Sequence, residues 1–429
     1  MKQDLTNAEL NNNLNGRRAV WSQTTVQPNP RPTKRSQPDL LCFTHLRWDF
    51  VYQRPQHLLS RAARDRRVFV FEEPIYDNGS MRLEVRESEE GVHVVKTYLP
   101  EGLRSDVATE AVLREMLDRV LAEHQIEDYV AWYYTPMALS FTQHLKPQAT
   151  VYDCMDELSA FKGASPMLRQ REQQLFKLAD LVFTGGQSLY EAKRSQHKSV
   201  YAFPSSIDHA HFSQARTYLT EPMDQAGILH PRLGFFGVID ERFDKELLAQ
   251  VAEKRPQWQF VMIGPVVKIN PSELPQRDNI HYLGSKSYKE LPAYLAGWDV
   301  ALLLFARNEA TRFISPTKTP EYLAAGKPVV STSIRDVVRP YGEKQLVKVA
   351  DQPDEFIAAV ETLLVQAPAE RQEWLNRVDS YLSVFSWDDT WSRMAGLIED
   401  VCATRESRLA ATAQTALKAN AAGGVLNAG

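Results

Sequence analysis

Ser315-Pro316-Thr317-Lys318-Thr319-Pro320-Glu321-Tyr322-Leu323-Ala324-Ala325-Gly326-Lys327-Pro328-Val329-Val330 is the stretch on which the fold turns. Ser-Pro is a helix start: Ser315 is a capping residue, and Pro316 suits the first helical position, where its missing N–H is no loss. Ala325-Gly326 ends the helix and Pro328 opens an apolar strand. The pattern predicts a short helix over 316–325 whose N-terminus points out of the carboxyl edge of a parallel sheet, where doubly wound folds bind ligands. Free N–H groups there suit an anion such as a diphosphate. Lys318 adds a full charge in the first turn. Glu321 follows one turn along the same face, suited to pairing with vicinal sugar hydroxyls. The same spacing also describes a capped surface helix with an internal Lys/Glu pair, so the surroundings must decide.

Working outward, apolar runs alternate with helical patterns on both sides. Strand-like runs occur at 41–45, 67–74, 91–99, 128–134, 149–154, 180–185 and 199–205, with helical patterns at 55–63, 107–124, 165–179 and 187–196. The alternation breaks at 207–231, which reads as a linker, and restarts with strands at 232–239, 258–265, 279–284, 299–305, 328–333 and 346–350. Continuous apolar strands between helices predict an α/β chain of two doubly wound, Rossmann-like domains facing a cleft. The expected boundaries are a disordered tail over 1–37, an N-terminal domain over 38–206 and a C-terminal domain over 232–385. A helix over 386–404, capped by Ser386, and a flexible tail over 405–429 complete the chain.

Composition sets the limits. The 429 residues carry 50 Lys+Arg against 54 Asp+Glu, a net charge of −4 that argues against a nucleic-acid partner. Three cysteines far apart fit a reducing, cytoplasmic compartment without disulfides. No run is long and apolar enough for a transmembrane helix. The basic excess of the N-terminal tail leaves peripheral contact with an anionic membrane open.

The Glu321-Tyr-Leu-Ala-Ala-Gly-Lys-Pro-Val-Val330 segment resembles the donor-binding element of GT-B glycosyltransferases, in particular the group 4-like enzymes, the glycosyl transferases group 1. Its Ser-Pro-x-Lys variant resembles the branch of teichuronic-acid-type enzymes of bacterial polysaccharide synthesis. The family's partner acid eight residues earlier is missing, because position 313 is Phe. The resemblance extends over residues 39–403. It implies a nucleotide-sugar donor, linked to UDP or GDP, held by the C-terminal domain, and a saccharide or lipid-linked acceptor presented by the N-terminal one. No separate cofactor is implied. It also implies a retaining reaction without a metal; the chain has no Asp-x-Asp, the signature of metal-dependent GT-A enzymes. On this resemblance the donor residues are Gly237, Arg242, Gly264, Pro265, His281, Ser315, Thr317, Lys318 and Glu321.

In the first domain, His45-Leu-Arg47-Trp48-Asp49-Phe-Val-Tyr52-Gln53-Arg54-Pro55-Gln56-His57 follows the first strand. So many donors and rings in one loop suit a sugar-stacking pocket better than a core. Arg47, Trp48, Asp49, Arg54 and Gln56 are its candidate cleft residues. Asp153-Cys154-Met155-Asp156-Glu157 ends another strand, and like charges this close raise one another's pKa, which function is one reason to tolerate. Asp153 and Glu157 join the cleft set. Asp156 and His45 are the candidate catalytic groups, with Asp156 the base an inverting reaction would need. Two competing classes share these features: a GT-B-fold sugar-nucleotide epimerase, and a non-catalytic saccharide-binding protein.

Overall fold

Leu40, Leu41, Cys42 and Phe43 are fully buried and form the centre of β1 (Asp39–Thr44), which pairs in parallel with β2 (Val68–Glu72) on one side and with β6 (Tyr129–Tyr133) on the other. The computed structural model describes residues 37–104, 108–217 and 219–423, without the side chains of 415–423. The N-terminal tail, with its basic excess, lies outside the described residues except for its last position.

The first sheet continues with β3 (Ile75–Asp77), β4 (Arg82–Glu87), β5 (His93–Pro100), β7 (Ala149–Cys154), β8 (Leu181–Thr184) and β9 (Val200–Ala202). Its order is β3-β5-β2-β1-β6-β7-β8-β9, with β4 antiparallel against β5. Helices α1 (Arg54–Ala62), α2 (Ala108–Glu123), α3 (Met167–Leu178) and α4 (Gln187–Lys193) cover its faces. Neither β3 nor β4 is visible in the apolar pattern. Arg-Leu-Glu-Val-Arg-Glu is an edge strand whose charges stay in water. That one strand departs from the all-parallel expectation.

The second sheet runs β12-β11-β10-β13-β14-β15, all parallel. Its strands are β10 (Arg232–Phe236), β11 (Gln259–Ile263), β12 (Ile280–Gly284), β13 (Val300–Leu303), β14 (Val329–Ser331) and β15 (Lys348–Val349). Helices α5 (Lys245–Lys254), α6 (Leu291–Ala296), α7 (Lys318–Ala324), α8 (Pro353–Leu364) and α9 (Pro368–Leu382) pack around it.

Residues 207–231 do more than connect. Ile207, Phe212 and Ala215 are buried in the core of the second unit beside Trp298 and Tyr322. Gln225 is fully buried, giving its amide to the Tyr294 carbonyl at 3.0 Å and taking the Trp298 indole N–H at 2.9 Å. The polar look of this segment hides a few apolar anchors and one satisfied amide.

The last helix, α10 (Trp387–Gly423), runs past position 404, where the sequence pattern ends it. The Ser386 hydroxyl takes the Asp389 N–H at 2.9 Å, the expected cap. Trp387, Trp391, Met394, Ile398 and Cys402 lie on one stripe and are buried against the core of the first sheet. The helix that follows the second unit therefore packs on the first, each large side chain contributing about 1.5–3 kcal/mol by burial.

Candidate active site

Each sheet has a point where its strand order reverses. In the second sheet it lies between β10 and β13, with β11 beyond one and β14 beyond the other. The carboxyl ends of these two strands flank a crevice, where a doubly wound sheet takes its ligand. A cavity of about 90 Å³ lies there, lined by Phe235, Val238, Leu304 and Phe305 from the strand ends, and by Ser315, Pro316, Thr317 and Lys318. The opposite wall belongs to the first unit: Gln53, Arg54, Met155, Asp156, Gly185 and Ser205.

Lys318 is the central group. Its ammonium lies 5.8 Å from the Phe235 ring centre and 5.9 Å from that of Phe305. Among the described residues no carboxylate comes within 4 Å of it. Burial and the Arg242 guanidinium both push its pKa down. Gly237 makes room for it: at φ +138°, a Cβ there would fall 2.0 Å from Lys318 Cε. Gly264 supports that turn in the same way, because its Cβ would fall 1.9 Å from the Gly237 carbonyl oxygen. Pro265 accepts the Ile239 N–H at 2.9 Å. Gly264 and Pro265 thus shape the loop and do not line the cavity.

The helix α7 starts at Lys318, later than the Ser-Pro pattern predicts. Ser315 is not its cap; the Ser315 carbonyl instead accepts the Ser205 hydroxyl at 2.9 Å. Thr317 holds the cap position without a side-chain bond and lines the cavity. Glu321, 5% exposed, lies a turn deeper, outside the cavity wall. Burial pushes its carboxyl up and Lys318 pulls it back.

Arg242 lines the cavity, but its fork is engaged: Nε and Nη2 donate to Asp240 at 3.0 and 2.7 Å. Its guanidinium also lies 5.2 Å from the ring centre of Phe161, a residue of the first unit. Asp156 faces these cations from the other wall. Burial raises its pKa, opposed by Arg242 and helped by Asp240. His281 sits on the edge strand β12, bonded to the Gln259 side chain at 2.8 Å, away from the cavity.

The loop after β1 divides its residues between structure and surface. Arg54 is buried and lines the cavity, with Nε and Nη2 on the fully buried Asp153 at 3.0 and 2.9 Å and Nη1 on the Phe203 carbonyl at 2.7 Å. Gln56 is 1% exposed and ties the loop to itself, accepting the Gln53 N–H at 3.0 Å and donating to the Trp48 carbonyl at 2.8 Å. Trp48 is in the core. Asp49 is exposed and pairs with Arg86 and Lys96. Glu157 is held by Lys193 at 2.7 Å on another face. None of these four lines the cavity at the second sheet. The residues looked like ligand groups because they are polar; burial with paired partners is an equally good use for them.

His45 Nδ1 is buried without a partner. Burial first, then Lys268, lowers its pKa to about 4, so the ring is neutral at pH 7. Lys268 is a residue the sequence reading missed. It stands at φ +60° in the loop after β11, 5.3 Å from the Phe161 ring centre, so the second unit reaches the first through it. Its position depends on chain reversal and has no local signature.

A second cavity, of about 460 Å³, lies at the reversal point of the first sheet, between the carboxyl ends of β1 and β6. Phe43, Phe71, Tyr76 and Phe141 form its aromatic walls, with Arg47 and Arg104 at its polar side. Both guanidinium groups are paired, Arg47 with Glu72 at 3.2 Å and Arg104 with Glu101 at 2.8 Å.

Two doubly wound sheets facing one cleft are the architecture of GT-B glycosyltransferases. Residues 230–366 match the family model described as glycosyl transferases group 1, so the match falls on the second unit. A Bacillus subtilis (strain 168) protein named as a teichuronic acid biosynthesis glycosyltransferase, TuaH, is 26% identical over 298 residues, 64% of this chain and 74% of that one. Among solved structures, an E. coli trehalose-6-phosphate protein bound with UDP-2-fluoro glucose superposes with a TM-score of 0.62 at 14% identity, covering 85% of this chain and 99% of that one. The sucrose-phosphate synthase of Thermosynechococcus elongatus gives 0.65 at 14% identity, over 86% and 100%. At such identities these structures share the fold. Among the described residues no helix is long and apolar enough to cross a membrane.

Proposed function

We propose that the cavity at the second sheet receives the diphosphate of a nucleotide sugar, and that the chain transfers the sugar to a saccharide or lipid-linked acceptor seated at the first. The observation that carries this reading is Lys318, an ammonium set in the cleft, folded over a glycine, with no carboxylate within 4 Å among the described residues. An enclosed ammonium with no carboxylate in contact, and only the longer-range fields of Glu321, Asp240 and Asp156 to offset it, favours a ligand that brings a negative charge. Glu321, buried one turn deeper and outside the cavity wall, is given the sugar hydroxyls by the family resemblance alone.

In the transfer, the bond between the anomeric carbon and a diphosphate oxygen breaks, and its electron pair leaves with the nucleoside diphosphate. Lys318 and the partly engaged Arg242 answer the charge that develops there, which makes a metal unnecessary in this reading. The acceptor hydroxyl bonds to the same carbon. In the retaining transfer that the resemblance of Glu321–Val330 implies, the acceptor attacks from the face the diphosphate leaves and its proton passes to the departing diphosphate oxygen; in an inverting transfer it passes to Asp156, whose raised pKa makes it the better base. The anomeric form of the product separates the two. The neutral His45, just past the carboxyl end of β1, lines neither cavity and takes no step in this reading. The name of the Bacillus relative supports a cell-surface polysaccharide as the acceptor class. Three free, buried cysteines accord with a cytoplasmic enzyme acting at the inner membrane face.

A thermal-shift screen with UDP, GDP and ADP tests the donor site. One of them raises the melting temperature of the wild type, by the equivalent of about 2.7 kcal/mol at 100 times its Kd, and leaves Lys318→Ala unmoved. A flat response to all three overturns the reading. Incubation with the matching nucleotide sugar and an acceptor then releases free nucleoside diphosphate; an isomer of the donor in its place identifies an epimerase.

A further inference from the structure

Thr184-Gly185-Gly186-Gln187-Ser188, at the turn from β8 into α4, has no role in the reading above, and its surroundings give it one. The cap position of α4 is Gly186, in extended backbone with φ −166° and no side chain to cap with. The carboxylate that serves α4 comes from the other unit. Asp336, 6% exposed, accepts the Ser188 N–H at 3.0 Å through Oδ1 and 3.3 Å through Oδ2. A Cβ on Gly186 would fall 2.3 Å from Asp336 Oδ2 and 2.7 Å from Ser315 Cβ, so only glycine lets the second unit come this close. Two further bonds follow the same seam: Arg335 to Glu191 at 2.5 Å, and the Ser205 hydroxyl to the Ser315 carbonyl at 2.9 Å. Next door, Gly185 lets the Met155 backbone pack at the strand end, since a Cβ there would fall 2.5 Å from the Met155 oxygen.

We infer that Asp336 is a positioning residue: it caps a helix of the first unit from the second, and so holds Ser315–Lys318 against the wall that carries Asp156. The inference concerns how the cleft is closed and stands whether or not the ligand is a nucleotide sugar. Its physical basis is that an uncapped helix start leaves N–H groups unsatisfied when buried. With the units apart those groups turn to water; with the units together Asp336 takes them. Closure and capping are then one event. A cavity of about 90 Å³ is smaller than the roughly 300–1,000 Å³ of sites that hold a small-molecule ligand. The latch must therefore open for a ligand to enter.

Hydrogen exchange and small-angle scattering on the full chain without ligand test this. In Asp336→Ala the amides of 186–188 and of 314, 315, 317 and 318 exchange about fivefold faster or more, the loss of one cap, and the radius of gyration increases. Both sheets keep wild-type protection. Gly186→Ala, which removes no bond donor or acceptor, gives the same pattern because its methyl keeps the units apart. Asp336→Asn keeps one acceptor oxygen and lies between. Wild-type seam exchange with an unchanged radius in Asp336→Ala overturns the inference. So does exchange that rises equally across both sheets in Asp336→Asn and Gly186→Ala, which marks a general structural role. Neither readout depends on a nucleotide or on transfer activity, so failure here leaves the proposed function intact.

Discussion

The two sheets reverse their strand order at equivalent points, yet the cavities there are chemically opposite. At the first sheet the space is wide, walled by Phe43, Phe71, Tyr76 and Phe141, and its cations Arg47 and Arg104 are already paired. At the second the space is narrow and, among the described residues, no carboxylate lies within 4 Å of Lys318. The contrast shows that a shared topology sets where a ligand goes, while the state of the local charges sets which ligand. A neutralised arginine orients polar groups; an unneutralised lysine attracts an anion. The same contrast separates Arg54, bound to the buried Asp153, from Lys318, although both line one cavity.

That difference can be broken in stages. The largest expected effect is on stability. Arg54→Ala strands the buried Asp153 carboxylate and costs about 3–5 kcal/mol, read from denaturant midpoints; Arg54→Met with Asp153→Leu recovers much of the loss. If Arg54→Ala unfolds at the wild-type midpoint, the pair is not structural.

Lys318→Ala reverses the pattern. Transfer falls about 10²–10³-fold, as for loss of one preorganised charge-stabilising group, and the melting temperature does not drop. Full activity in this variant would merge the two cavities' roles.

Asp156 supplies an opposed pair of readouts. In an inverting transfer, where Asp156 is the base and burial raises its pKa, the acid limb of kcat/KM lies above the ordinary carboxylate range, and activity is lost as pH falls through it. Stability runs the other way. A carboxyl whose folded pKa exceeds its unfolded one contributes stability below the unfolded value and loses it as pH rises through the folded value. Asp156→Asn is therefore inactive and melts higher than wild type at pH 7, and its melting loses this pH dependence. A lower melting temperature would show the ionised carboxylate to be stabilising.

The smallest effect belongs to the wide cavity. Tyr76→Ala removes one aromatic wall and raises the acceptor KM by about 2–10-fold, the equivalent of roughly 0.5–1.5 kcal/mol of ring contact, without changing nucleotide binding. A change in nucleotide affinity instead would place the acceptor elsewhere.

Much of this was legible in the chain. The strands β1, β2, β6, β7, β10, β11 and β13 are buried on both faces, so they read as unbroken apolar runs that period alone reveals. β3 and β4 escaped because an exposed edge carries charge. Lys318 was legible because its motif is local, beside the helix it starts. Arg54, Gln56, Trp48 and Asp153 have the same composition as a ligand site, and only burial shows them used as structure. Lys268 and Asp336 left no trace, since each acts on residues far away in sequence.

The sequence by itself determined two doubly wound sheets, a turn-helix-strand with a lysine at its head, and the glycine that ends that helix. Those features depend on neighbours a few residues apart, through periodicity, capping and backbone sterics. The tertiary structure decided which charges remain unpaired, which glycine admits which side chain, and which unit caps which helix. Such properties depend on what chain reversal brings within a few ångströms, where desolvation makes the presence or absence of one counter-ion decisive.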